Sequence, residues 1–118
     1  RRSYNDANVR KIIGYIDGHF TDPSMTSAQV AEAFLVSEKY LYNVVKGTFG
    51  MTFGKYIENL RIRKAESLLL STELTNIQIY QQCGFGSENT FYRNFLKSHG
   101  MTPTAWKAKK QAENGTPS

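Results

Sequence analysis

The sequence has only one cysteine and no long apolar segment. A single cysteine, Cys83, excludes an internal disulfide and a zinc site made of several thiolates, and it fits a reducing compartment. No stretch approaches the ~18 consecutive apolar residues that span a bilayer, and no signal-peptide pattern opens the chain. We therefore expect a cytoplasmic location and no contact between this segment and a membrane.

Strand signals are nearly absent as well. Apolar residues recur every three or four positions along the chain, which is the spacing of amphipathic helices, and no pair of alternating runs flanks a two-residue turn. We therefore predict an all-α fold with about seven helices. The 118 residues suffice for one domain or two very small ones, but they are too few for a large enzyme.

The charge is positive and unevenly distributed. The formal net charge is +5, and residues 55–118 carry nine of the 15 lysines and arginines but only half of the ten acidic residues. A basic balance is typical of proteins that bind polyanions, although it is also common among ordinary soluble proteins. The first residue is Arg1 rather than methionine, so we expect the chain to be a piece of a longer polypeptide.

Capping signals predict where the helices begin. Thr26–Gln29 and Thr75–Gln78 have the spacing of a capping box, in which the first and fourth side chains each accept a bond from the other residue's backbone N–H. Ser37 and Ser87 stand where the next helices would start, and the helix after Ser37 is expected to end at about Gly47. The remaining helices are expected to start at Asn5 or Asp6, near Thr52, and at Thr102 with Pro103.

The chain contains an internal repeat with an offset of 50 residues, which aligns Ser37-Glu38 with Ser87-Glu88 and Gly50-Met51-Thr52 with Gly100-Met101-Thr102. The short helices before these landmarks also align if the second turn has one additional residue. Each copy would therefore form a helix-turn-helix. The predicted segments are a first helix-turn-helix subdomain at 1–52, a linking helix at 53–71, a second subdomain at 72–110 and a flexible tail at 111–118.

Three segments together form a specific pattern: Tyr56-Ile57…Leu68-Leu69, Cys83-Gly84-Phe85-Gly86-Ser87 followed by Phe91, Arg93 and Phe95, and Gly100-Met101-Thr102-Pro103. With the repeat, this pattern resembles the DNA-binding domain of AraC/XylS-type transcriptional regulators over about residues 8 to 108. The resemblance implies sequence-specific binding to double-stranded DNA and regulation of transcription, usually activation. It also implies RNA polymerase as a partner and a sensor or effector domain upstream of this segment.

The helix after Ser37 has two different faces. Residues expected to face the core are Leu41, Val44, Val45 and Thr48, and the polar residues opposite them are Lys39, Tyr42, Asn43 and Lys46. A helix in a major groove needs this division, because one face holds the domain while the other reads base edges. Lysine can donate to guanine, asparagine can pair with adenine, and tyrosine can contact a thymine methyl group or a phosphate. A solvated surface helix has a similar pattern.

The helix after Ser87 repeats the division. Phe91 and Phe95 would face the core, and the polar residues on the other side are Glu88, Asn89, Tyr92 and Arg93. Arginine to guanine is the commonest specific contact, and the resemblance places a base-reading residue at Arg93. Glu88 could instead stabilise the helix itself, since an acid in the first turn complements the helix dipole.

Contacts to DNA phosphates are expected from hydroxyls at helix starts and from lysines. The candidates are Ser37, Lys46, Thr52, Ser87, Lys97 and Thr102. The second unit departs from the first at Leu96, which stands where the first unit has Lys46, and from the family pattern at Tyr80, where the family usually has a small alanine. One unit could therefore carry most of the specificity.

The other residues with reactive or aromatic side chains indicate packing rather than catalysis. Tyr56, Trp106 and Cys83 are expected in the core, and His19 and His99 have no further metal ligands at a suitable spacing. The sequence shows no combination of nucleophile, base and metal ligands, so we expect neither an enzyme nor a cofactor. The alternative function is a helical protein-interaction module with only nonspecific affinity for DNA.

The linking helix sets the expected geometry of binding. Roughly 18 helical residues extend about 27 Å, and successive major grooves on one face of DNA are ~34 Å apart. One chain could then place both recognition helices in a bipartite site if the DNA bends to make up the difference. Affinity would fall steeply with salt, because phosphates would supply much of the attraction.

Overall fold

The computed structural model describes residues 6–114, which form seven helices and no strands. The helices are α1 (Asp6–His19), α2 (Ser27–Ala33), α3 (Glu38–Phe49), α4 (Phe53–Ser71), α5 (Asn76–Cys83), α6 (Glu88–His99) and α7 (Pro103–Asn114). The predicted all-α fold is confirmed. Within these residues, no helix is long and apolar enough to cross a membrane.

The chain divides into two compact units between Leu60 and Arg61, inside α4. The first unit contains α1 to α3, and the second contains α5 to α7. α4 contributes to both cores: Tyr56 and Ile57 pack in the first unit, whereas Leu69 packs in the second.

The core of the first unit is mainly aliphatic. Its buried residues are Ile12 and Ile16 of α1, Val30 and Ala31 of α2, Leu41 and Val45 of α3, and Tyr56 and Ile57 of α4. They recur at helical spacing, so each helix turns one apolar stripe inward. Tyr56, predicted to be a core residue, is only 8% exposed, and its hydroxyl donates to Asp17 Oδ1 at 2.7 Å.

The core of the second unit is rich in aromatic rings. Phe85, Phe91, Phe95 and Trp106 are buried together with Cys83. The ring of Phe95 lies edge-on to those of Phe91 and Trp106, with centroid separations of 5.9 and 5.6 Å, a favourable arrangement for aromatic pairs. The predicted burial of Trp106 and Cys83 is confirmed.

The predicted caps of α2, α3, α5 and α6 are confirmed. Thr26 with Gln29 and Thr75 with Gln78 each form a complete capping box. Ser37 and Ser87 cap α3 and α6. Asp6 is already helical, and Asn5, the other predicted cap of α1, lies outside the described residues.

Two helix ends differ from the sequence-based expectation. α3 continues past Gly47 to Phe49, because Gly50 rather than Gly47 adopts the left-handed conformation, with φ of 73°, that ends a helix. α7 continues to Asn114, so the first four residues of the predicted tail, 111–114, are helical. Residues 104–114 contain no glycine or proline that would end the helix before Gly115. The rest of the predicted tail, residues 115–118, lies outside the described residues.

Candidate nucleic-acid interface

In the first unit, α2, a tight turn and α3 form the predicted helix-turn-helix. Val30 and Ala31 of α2 and Leu41 and Val45 of α3 belong to one buried cluster, which holds the two helices together. The turn is closed by the Val36 N–H, which donates to the Ala31 carbonyl at 3.0 Å. The apolar side of α3 is thus fixed to its own unit, and its orientation depends on this core.

The outer side of α3 carries the predicted base-reading residues. Lys39, Tyr42 and Lys46 are exposed, whereas Asn43 is partly buried. Three of the four residues predicted to face the core, Leu41, Val44 and Val45, are fully buried.

The prediction is wrong for Thr48, which is exposed. The buried row of α3 continues from Val45 to Phe49, four residues later, rather than to Thr48. The ring of Phe49 stacks on that of Tyr56 with centroids 4.1 Å apart. Because this contact buries Phe49 in part, it turns Thr48 toward solvent.

In the second unit, α5, a turn and α6 repeat the arrangement. The Phe85 N–H donates to the Tyr80 carbonyl at 3.2 Å, and Gly84 adopts the left-handed conformation, with φ of 96°. Phe91 and Phe95 of α6 are fully buried. The outer side of α6 carries exposed Asn89 and Arg93 and partly buried Glu88 and Tyr92.

Tyr80 and Leu96 depart from the pattern expected from the sequence, and the structure shows where each side chain lies. Tyr80 is partly buried and packs at the edge of the second core, with its ring centroid 6.5 Å from that of Phe91. The phenol therefore has room where a small residue was expected. Leu96, on α6, is 50% exposed, so an apolar side chain stands on the surface where α3 has Lys46.

A chain of hydrogen bonds ties the outer side of α6 to its neighbours. The Tyr92 hydroxyl donates to Glu88 Oε2 at 2.9 Å, and Asn76 Nδ2 donates to the Tyr92 hydroxyl at 3.4 Å. Asn76 Nδ2 also donates to Thr104 Oγ1, the first hydroxyl of α7, at 3.1 Å. These bonds hold the side chains of Glu88 and Tyr92 in one arrangement, and no local sequence pattern predicts it.

Comparison with known proteins identifies this architecture. Residues 30–109 match the model of a helix-turn-helix domain family. The HTH-type transcriptional activator RhaS of Salmonella arizonae is 31% identical over 99 residues, which are 84% of this chain and 35% of that protein. The C-terminal domain of AraT, a response regulator from Geobacillus stearothermophilus, has a TM-score of 0.82 at 33% identity, covering 86% of this chain and 84% of that one. The chain belongs to the AraC/XylS-type family of helix-turn-helix DNA-binding domains.

A more distant structure has the same AraC-type fold. The DNA-binding domain of AdpA, a global transcriptional factor crystallised with a target DNA, has a TM-score of 0.85 at 16% identity, covering 93% of this chain and 98% of that one. The chain spans about a third of the length of the curated relatives that it matches, 35% in the case of RhaS. RhaS is named as a transcriptional activator, AraT as a response regulator and AdpA as a global transcriptional factor.

The hydroxyls predicted to contact phosphates share a structural role in the AraC-type fold. Each caps a helix by accepting a backbone N–H bond: Ser37 from Tyr40 at 3.0 Å, Thr52 from Lys55 at 3.2 Å, Ser87 from Thr90 at 3.1 Å and Thr102 from Ala105 at 3.2 Å. Capping uses a lone pair of the oxygen, so the hydroxyl proton can still be donated to an anion. At Ser87 the proton is donated to Thr90 Oγ1 at 3.0 Å, so a phosphate there would take the place of Thr90 as the acceptor.

The two candidate lysines are both close to the end of a recognition helix. Lys46 and Lys97 are exposed and lie in the last turns of α3 and α6. A cation there complements the negative end of the helix dipole. This stabilising role exists with or without a phosphate.

A catalytic or metal site would depend on the chemistry of Cys83 and on the placement of possible metal ligands within residues 6–114. Burial raises the pKa of the Cys83 thiol to about 11, although nearby Lys64 and Arg61 oppose the shift. A thiol with so high a pKa is a weak nucleophile. Between residues 6 and 114, no group of three or more His, Cys, Asp or Glu side chains is placed to hold a metal ion.

Proposed function

We propose that this domain binds double-stranded DNA at specific sequences and regulates transcription, with α3 and α6 entering successive major grooves of one site. The observation that carries the proposal is the duplicated helix-turn-helix. In each copy the second helix buries an apolar stripe and presents polar side chains at matching positions, 50 residues apart. Such a helix can be held firmly while its outer side reads base edges.

The proposed base-reading residues follow from this arrangement. On α3 they are Lys39, Tyr42 and Asn43, and on α6 they are Glu88, Asn89, Tyr92 and Arg93. Arg93 supports the proposal most directly, because it is exposed on the outer side of α6 and its guanidinium can bond to guanine O6 and N7. The terminal Nη2 is 3.4 Å from Thr90 Oγ1, a long contact that a base could replace.

Phosphate contacts would supply affinity without sequence preference. We assign them to Ser37, Lys46, Thr52, Ser87, Lys97 and Thr102, which are all exposed. The net charge of +5 favours a polyanionic partner in the same way.

The role in transcription rests on the relatives. RhaS is named as a transcriptional activator, and the matched region makes up 35% of its length. We infer that this domain likewise works with a sensor or effector domain, and that activation involves RNA polymerase. The AdpA domain was crystallised with a target DNA, which supports duplex DNA as the ligand of this fold.

A binding series on the purified domain tests the proposal. Duplexes selected from a random pool should bind at least about 10³ times more tightly than scrambled duplexes, and log Kobs should fall linearly with log salt concentration. Lys39→Ala should weaken binding to the selected duplex, whereas Lys109→Ala, an exposed position on α7 outside both recognition helices, serves as the charge-matched control. Equal affinity for selected and scrambled duplexes would instead support an interaction module with nonspecific DNA affinity.

A further inference from the structure

Each recognition helix contains a glutamate followed four residues later by a tyrosine, and in α6 these are Glu88 and Tyr92. The repeat aligns them with Glu38 and Tyr42, and in both helices the two residues are four positions apart, on one face. Only in α6 are the two side chains joined, by the 2.9 Å bond from the Tyr92 hydroxyl to Glu88 Oε2. In α3, Tyr42 is 47% exposed and Glu38 Oε1 accepts from Ser27 Oγ at 3.4 Å instead.

The residues that contact these two pairs from outside the recognition helices also differ between the units. Asn76 and Ser27 each follow the capping threonine of the preceding short helix. The serine hydroxyl is short and reaches the glutamate directly. The longer amide of Asn76 reaches the Tyr92 hydroxyl at 3.4 Å and is itself held by Thr104 Oγ1 at 3.1 Å.

The bonds determine what Glu88 can still bind. The single proton of the Tyr92 hydroxyl is directed at Oε2, so Oε1 remains as an acceptor on the outer side of α6. An ionised carboxylate only accepts hydrogen bonds. In the major groove, guanine presents two acceptors and adenine presents an acceptor beside its amino group, whereas cytosine presents only its N4 amino donor. A carboxylate held in place therefore fits cytosine and repels guanine.

We propose that Asn76, acting through the Tyr92 hydroxyl, positions the Glu88 carboxylate to accept a hydrogen bond from the N4 amino group of a cytosine in the half-site that α6 contacts. This inference rests on the proposed function. Asn76 is a positioning residue, and the contact with the base is made by Glu88. The first unit has no equivalent of this chain, because its tyrosine is not tied to Glu38.

The test measures base preference at single positions. The selected duplex is varied to each of the four base pairs throughout the α6 half-site, and binding is measured for the wild type, Glu88→Ala, Tyr92→Phe and Asn76→Ala. Glu88→Ala should abolish the preference at one position, and that position should be cytosine. Tyr92→Phe, which keeps the ring for a contact with a thymine methyl group, and Asn76→Ala should each reduce the same preference about tenfold. Preferences at other positions should stay unchanged, as expected for loss of one oriented contact.

The control is Ser27→Ala, the matched position in the first unit, which should leave the preference for cytosine intact. Thermal unfolding of each variant checks that the fold is retained. Uniform weakening over all four base pairs in Asn76→Ala would show a merely structural role and overturn the inference. The inference also fails if Glu88→Ala changes preference at a base other than cytosine. Equal binding of every duplex by the wild type would overturn the proposed function itself.

Discussion

The two helix-turn-helix units share their landmarks but differ in what fills their cores. Both begin the short helix with a threonine capping box and the recognition helix with a serine cap. The first core is built mainly from isoleucine, valine and leucine, whereas the second is built around Phe85, Phe91, Phe95 and Trp106. The repeat therefore specifies where helices begin and end, while side chains of different shape satisfy the same fold.

The largest expected difference between the units is in core stability. Phe95→Ala should lower the free energy of unfolding by about 3–5 kcal/mol, because the ring is fully buried and contacts Phe91, His99 and Trp106. Val45→Ala, the matched change in the first unit, removes only two methyl groups and should cost about 2 kcal/mol. Urea unfolding followed by circular dichroism measures both. Equal losses would show that the aromatic core adds no stability beyond that of the aliphatic core.

The next expected difference is in sequence preference. Arg93→Ala should cost about 1–3 kcal/mol of binding and relax the preference in one half-site only, because its guanine contact is lost. Asn43→Ala, at the matched position of α3, should relax the base preference in the other half-site. Titration of duplexes substituted in either half distinguishes the two. If Arg93→Ala weakens every duplex to the same extent, Arg93 contacts phosphate rather than a base.

Much of this comparison could be predicted from the sequence. Caps, glycine turns and apolar spacing are local signals, so they located the helices, the repeat and buried residues such as Trp106. The end of α3 could not be predicted in the same way, because two glycines, Gly47 and Gly50, could each end it. In the structure Gly50 ends the helix, and Phe49 just before it stacks on Tyr56, a contact between different helices that local signals do not contain.

The polar arrangement on α6 was harder to foresee for the same reason. Asn76 lies 16 residues from Tyr92 and 28 from Thr104, and no helical period relates them. A signal did exist in the repeat, since the residue after each capping threonine differs between the units: Ser27 in one and Asn76 in the other. Which side chains these two residues bond to depends on distances in the folded structure, and the sequence alone does not give them.

A pH-dependent loss of stability is expected from Cys83 in the second core. Because burial raises the pKa of Cys83 from 9.0 to about 11, the folded state holds the thiol proton more tightly than the unfolded state does. The resulting stability is complete below pH 9 and is lost as the pH rises toward 11, by about 2 kcal/mol. Urea unfolding from pH 8 to 11 should show this loss in the wild type relative to Cys83→Ala. Identical pH profiles would contradict the burial effect.

The smallest expected difference is in the turns. Leu35 has φ of 57° and is 92% exposed, whereas the second unit has Gly84 at the corresponding left-handed position. Leu35→Gly should raise the free energy of unfolding by about 1 kcal/mol, because backbone strain is relieved and almost no buried surface is lost. Gly84→Ala is the opposite control and should destabilise the domain. A loss of stability in Leu35→Gly would mean that the leucine makes a stabilising contact.

The central claim is that one chain reads DNA with both recognition helices. Selection of bound duplexes from a random pool by the wild-type domain, followed by sequencing, tests it most directly. We expect two short motifs whose centres are separated by about 10–10.5 base pairs, one helical turn. Enrichment of a single motif, or of none, would contradict the claim.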